Sequence, residues 1–145
     1  MLFSRINKTD PEKVFIVVKA GEALIQGKPV CYHFSGTDDG KLGYLANAAA
    51  DHSTVCGIAD AAIPSGSYGL VQCYGFRSDA YVILATSQNT NVGGQLDITS
   101  LSSGALYLLS SIGAAGDPFV PFVLAISASS TTCAETAMGV FIRCM

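Results

Sequence analysis

The sequence predicts an all-β protein, a small β-sandwich or barrel of the jelly-roll or tulip-like kind with at most one short helix. Three observations carry that expectation. Short segments rich in Val, Ile, Tyr and Phe recur along the chain, separated by Gly, Ser, Asn, Asp and Pro. Val140, Ile142 and Cys144 alternate with Phe141 and Arg143, the two-residue period of a strand. Helix signals are confined to the Ala-rich stretch "YLANAAAD" at 44–51.

Taken in order, residues 1–13 mix Lys, Arg, Asp and Asn with a proline at position 11 and read as an extended N-terminal arm. One β domain is expected over 14–145. "KVFIVVKAG" is the first strand candidate, and Gly21 ends it. A turn around Gly27-Lys28 leads into a strand from Pro29, where a missing N–H does least harm. "TDDGK" reads as a hairpin turn, because Asp-Gly supplies the positive φ of tight loops. The Ala-rich stretch is assigned to a short helix or irregular loop ahead of a strand at "TVCGIAD". "SYGLVQCYGF" and "AYVILAT" follow as two strands, with "SGSYG" as a turn. "QLDITS", "GALYLLSS", "FVPFVLAISAS" and "AMGVFIRCM" complete about nine strands, the number expected of a sandwich or barrel.

A loose internal echo runs through the chain. Residues 20–76 and 93–145 each hold a Gly-led hairpin, a strand with a Tyr-Leu pair, a small-residue strand and a closing strand after Gly69 or Gly139. Two diverged halves would account for it, and so would chance similarity among β-rich segments.

Composition narrows the function. The 145 residues are 50% apolar and only 13% charged, with a net charge of -3. That balance offers no general attraction to nucleic acid or to anionic membranes. The longest apolar runs, such as "FVPFVLAI" broken by Pro121, are far shorter than the ~20 residues of a membrane-spanning helix. The N-terminus lacks the apolar core of a secretory signal, so the five cysteines are expected as buried thiols. Between Asp79 and Arg143 the only Asp, Glu, Lys, Arg or His residues are Asp97, Asp117 and Glu135. A half so poor in charge is expected to cover itself with another chain.

Catalytic motifs are missing: the sequence contains no phosphate-binding glycine loop, nucleophile elbow or H-E-x-x-H. One arrangement of metal-ligating residue types is present. Cys31 and His33 lie two apart on a strand, and His52 and Cys56 lie four apart further on. Together they would suit tetrahedral zinc, although C-x-H followed by H-x-x-x-C is not a common zinc spacing. The competing account packs both thiols in the core and leaves both imidazoles on rims or loops. Asp60, Asp79 and Asp97 are isolated in sequence.

The run from "AGEALIQGKPV" to "LGYLANAAADHSTVCGIADAAIPSGSYGLVQCYGF" resembles the capsid decoration, or cement, proteins of tailed bacteriophages. The matching residues are Gly21, Ala23, Leu24, Gly27, Pro29 and Val30, then Ala46, Gly57, Ile58, Ala59, Gly66, Gly69, Val71 and Gly75. The match covers residues 20 to 76 and consists mostly of glycines and small apolar residues at hairpin positions. The resemblance implies a structural virion protein made in the host cytoplasm, without catalytic residues or cofactor. Such a protein sits on the capsid surface, commonly as a homotrimer, and stabilises the head by clamping neighbouring major capsid subunits. It also implies that the arm, with Met1, Leu2, Phe3 and Arg5, reaches across to a capsid subunit. Tyr68 in the "SGSYG" turn is a further candidate contact. The partners expected are the major capsid protein and copies of the chain itself, with no nucleic acid, membrane or small-molecule substrate. Another virion part, such as a head-fibre base or a tail protein, is the nearest alternative, and a small zinc-binding domain is the third.

Overall fold

The computed structural model describes residues 12–34, 40–47, 54–83, 92–93, 95–98, 106–108, 123–126 and 135–144. It is all-β, and no α-helix occurs among the described residues. Among the described residues nine strands form one continuous sheet: β1 Val14–Ala20, β2 Pro29–Tyr32, β3 Leu42–Leu45, β4 Val55–Ala59, β5 Tyr68–Ile83, β6 Gln95–Ile98, β7 Leu106–Leu108, β8 Val123–Ala125 and β9 Glu135–Arg143.

Pairing closes this sheet into two rings. β1, β3, β2, β4 and β5 form the first, because β5 returns to β1 over Val14–Lys19. β5, β7, β6, β8 and β9 form the second, because β9 returns to β5. The 16-residue β5 is therefore a wall of both rings. Among the described residues every strand is therefore paired on both sides for at least part of its length, which limits the edge available to template aggregation.

The rings share one topology. In each, the first strand pairs parallel with the third, and all four other pairings are antiparallel. Outside the bulges the registers correspond. Val30 faces Leu45 where Leu96 faces Leu108, and Ala59 faces Val71 where Ala125 faces Val140. The turns correspond as well: Gly27 N donates to Ala59 O at 3.0 Å, and Gly93 N donates to Ala125 O at 2.8 Å. Asp60 N donates to Leu70 O as Ile126 N donates to Gly139 O, so Gly139 corresponds to Leu70 and not to Gly69.

Two of the sequence assignments change. "LGYL" is strand β3 rather than the start of a helix or loop. Gly43 faces into the first ring, where a Cβ would collide with Val18, and this lets the strand close against β1 despite the Ala-rich residues that follow. Residues 48–53, the rest of that stretch, lie outside the described residues. "SYGLVQCYGF" and "AYVILAT" are one strand, not two. Its polar centre, Arg77-Ser78-Asp79, is absorbed by a bulge between Arg77 and Ala80 in the pairing with β9.

Inward side chains fill both rings. Val18, Ala20, Val30, Cys56, Ala59 and Val71 pack inside the first, capped by Leu24 and Ile63 from loops that meet in a backbone bridge. Ala80, Val82, Leu96, Ile98, Val123, Ala125, Met138, Val140 and Ile142 pack inside the second. Cys31, Ala46 and Ile58 join this second cluster although they belong to the first ring. β2 and β4 are thus buried on both faces, which is why "PVC" and "CGIA" contain no polar residue. A bulge opposite Val30 and Cys31 turns Cys56 toward the first core. Gly57 sits in that bulge at φ 151°, and a Cβ there would strike the Gln72 carbonyl.

At the centre of β5, Tyr74 pairs with Val14 of β1 on one side and with Arg143 of β9 on the other. The start of the first described strand and the end of the last are therefore neighbours across one residue.

Candidate functional site: an exposed apolar face, a charged junction and a thiol cleft

The outer side of the β1–β5 pair is apolar. Val17 stands opposite Leu70, and Lys19 stands opposite Tyr68. Phe15, on the same side of β1, extends the row. Val17 is 65% exposed, Leu70 47% and Tyr68 71%. Lys19 Nζ lies 5.9 Å from the centroid of the Tyr68 ring, a cation–π contact across the strand pair. Large apolar side chains standing together on a pleated face mark a surface suited to a partner.

Tyr68 was the contact residue singled out from the sequence, and the structure places it at the end of this face. Val17, Leu70 and Phe15 were not foreseen. Their signal is in "VFIVV", a strand apolar at every position and so apolar on both faces. Met1, Leu2, Phe3 and Arg5 lie outside the described residues.

A charged junction joins the two rings. Arg77 is only 4% exposed, on the strand that they share. Its Nη1 lies 3.3 Å from Asp60 Oδ1, and its Nη2 donates to Asp79 Oδ2 at 3.1 Å. Nε lies 2.9 Å from Asp79 Oδ1, but the angle is poor, so that contact is an ion pair without a hydrogen bond. Gln26 Nε2 also donates to Asp79 Oδ2, at 3.0 Å. Tyr81 N donates to Gly27 O at 3.0 Å, and Lys28 Nζ lies 5.9 Å from the centroid of the Tyr81 ring. The turn before β2 is thereby fixed to the half of β5 that serves the second ring. Asp60 and Asp79, isolated in sequence, meet at one guanidinium. Their arrangement neutralises a buried cation.

The four residues considered for zinc are distributed differently. Cys31 packs in the second core and its Sγ donates to Tyr44 O at 3.6 Å, whereas Cys56 packs in the first core and donates to Val30 O at 3.4 Å. The two thiols thus serve different cores. The exposed His33 ring lies 4.9 Å from the Tyr44 ring, and His52 lies outside the described residues. Among the described residues no group of three or more His, Cys, Asp or Glu is placed to hold a metal ion.

A cleft of about 360 Å³ opens at the end of the first ring where β1 begins and β2 ends. Ile16, Tyr32 and Val55 line it together with three thiols, Cys56, Cys73 and Cys144. Burial pushes the Cys56 thiol up to about 12, with a further rise from neighbouring Cys31, and burial likewise raises Cys144. These sulfurs stay protonated at neutral pH and are weak nucleophiles.

No protein-family model matches the chain, and no curated protein matches it. Among solved structures it is similar to the N base of the head fiber gp8.5 of bacteriophage phi29. The identity is 16% and the TM-score 0.53, covering 90% of this chain and 94% of that one. At that identity the likeness is one of fold.

Proposed function

We propose that this chain is a structural protein of a phage head, working through its surface and carrying out no reaction. The observation that supports this most directly is the fold it shares, over nearly the whole of both chains, with a phage head-fiber base. The decoration-protein resemblance of residues 20–76 points to the same setting. In this reading the protein stands on the outside of the head as a homotrimer, with the major capsid protein as its partner. It uses no cofactor, nucleic acid, membrane or small-molecule substrate. Of the two forms such a protein takes, the base of a fibre is favoured by the fold likeness over a clamp across neighbouring capsid subunits.

The exposed row of Phe15, Val17, Leu70 and Tyr68 is the docking face in this proposal. Covering such side chains removes apolar area from water at roughly 25 cal/mol per Å². The test is co-sedimentation of the purified chain with heads of the virus that encodes it. Saturable binding is expected, weakened at least tenfold by Val17→Asp with Leu70→Asp. The two carboxylates would stand directly opposite each other and repel. Folding of this variant is therefore checked by circular dichroism, and Val17→Lys with Leu70→Asp, which puts opposite charges there, makes the same comparison. A wild-type chain that stays in the supernatant at every ratio of protein to heads would overturn the reading.

A further inference from the structure

We propose that Cys73 and Cys144 form a cross-strand disulfide when the protein meets an oxidant, fastening the end of β9 to the middle of β5. The two residues are directly opposed. Tyr74 pairs with Arg143, and one step outward Cys144 N donates to Cys73 O at 2.9 Å. Opposed residues that share such a bond in an antiparallel pair have Cα atoms about 5.5 Å apart and point to the same face. That spacing lies within the range a disulfide requires, which is roughly 4.4–6.8 Å. Both residues line the same cleft. The Cys73 Sγ donates to Val14 O at 3.4 Å, so forming the disulfide exchanges that weak hydrogen bond for a rotation of the Cys73 side chain toward β9. Cys73 is buried and Cys144 half-buried, which makes Cys144 the thiol that an oxidant reaches first.

The remaining cysteines are placed less well. Cys31 faces the second core. Cys56 shares the cleft with Cys144 but lies on β4, which is not paired with β9, so no strand register opposes the two. Cys133 lies outside the described residues. Burial keeps the Cys144 thiol protonated at neutral pH, so exchange is slow there and runs at alkaline pH through the minor thiolate form. With oxidised glutathione as oxidant, that thiolate attacks one sulfur of the glutathione disulfide and releases one glutathione thiolate. The Cys73 thiolate then attacks the Cys144 sulfur of the mixed disulfide and releases the second. The protein loses two electrons, glutathione disulfide gains them, and the two thiol protons end on two glutathione molecules. The inference rests on strand register and stands apart from the reading of the chain as a phage protein.

The test uses the full chain, purified reduced and then equilibrated with oxidised glutathione at alkaline pH. Expected are a loss of two hydrogens in the intact mass, a linked peptide pair containing Cys73 and Cys144, and a rise in Tm of roughly 5–15 °C from closing so long a loop. Cys144→Ser should abolish both the linked peptide and the rise, and Cys73→Ala should do the same. If Cys73→Ala fails to fold, the half-buried Cys144→Ser carries the comparison alone. A linked peptide joining any other pair, or full alkylation of Cys73 and Cys144 after equilibration, would overturn the proposal.

Discussion

Arg77 Nη1 lies 3.3 Å from Asp60 Oδ1, so the strand common to both rings is tied to the residue that follows β4. The cation is almost completely buried, while the two carboxylates that neutralise it are close to half exposed. Replacing Asp60 and Asp79 together with Asn leaves a buried charge poorly compensated and is expected to cost about 1–3 kcal/mol. Arg77→Met removes the charge while keeping most of the volume, so it should cost less than the double Asn variant. Urea unfolding of the two proteins gives the order directly. The reverse order would mean that the guanidinium stabilises through packing and directional hydrogen bonds rather than charge.

Gly27 and Gly93 hold corresponding turns at φ 78° and 86°, yet their surroundings differ. A Cβ on Gly27 would collide with the Asp79 carbonyl and touch the Tyr81 ring, whereas one on Gly93 would meet no atom of the described residues within 4 Å. Gly93→Ala should therefore cost only the backbone strain, about 1 kcal/mol. Gly27→Ala should cost about 3 kcal/mol or more, because the turn must also leave β5. Equal losses on thermal unfolding would show that the contact with β5 contributes little.

Gln72 is a buried amide whose Nε2 donates to Tyr74 O at 3.2 Å and to Phe76 O at 3.0 Å. Gln72→Leu keeps the size and removes both donors, for an expected loss of about 1–3 kcal/mol. Hydrogen exchange should quicken at the centre of β5. A variant as stable as the parent would mean that water replaces the amide.

Thiol burial gives stability a pH dependence. An unfolded chain ionises its cysteines near ~8.5. The folded protein holds the Cys56 proton until about 12 and also raises Cys144. Below ~8.5 both states are protonated and the contribution is complete. Above it the unfolded chain releases protons first, so stability falls as pH rises, by up to ~1.4 kcal/mol per unit for each such thiol. Under reducing conditions Tm should drop steadily from pH 8.5 to 10.5, and Cys56→Ala should flatten the slope. A slope unchanged by that substitution would assign the loss to other groups.

How far this was legible in the sequence depends on how local each signal is. β1, β4, β6, β8 and β9 were visible because apolar side chains and breakers follow one another within a few residues. β3 was obscured by the alanines after it, since its strand character depends on Gly43 meeting Val18 across the ring. The continuity of β5 was hidden for a related reason. Arg77-Ser78-Asp79 reads as a polar break between two strands unless Asp60 is known to lie beside the guanidinium. Tyr68 was recognisable as an exposed aromatic beside a turn, but Val17 and Leu70 became a face only through the β1–β5 register. Nothing in the spacing of Cys73 and Cys144 announces that they are opposed.

The meeting of Val14 and Arg143 across Tyr74 gives both ends of the folded body one address. Whatever extends the chain before β1 or after β9 leaves from the same spot, midway along the longest strand. A short linker joining those ends, with new termini opened between Asp60 and Ser67, would give a circular permutant that preserves every strand pairing. A cargo domain attached to either end would project from one location.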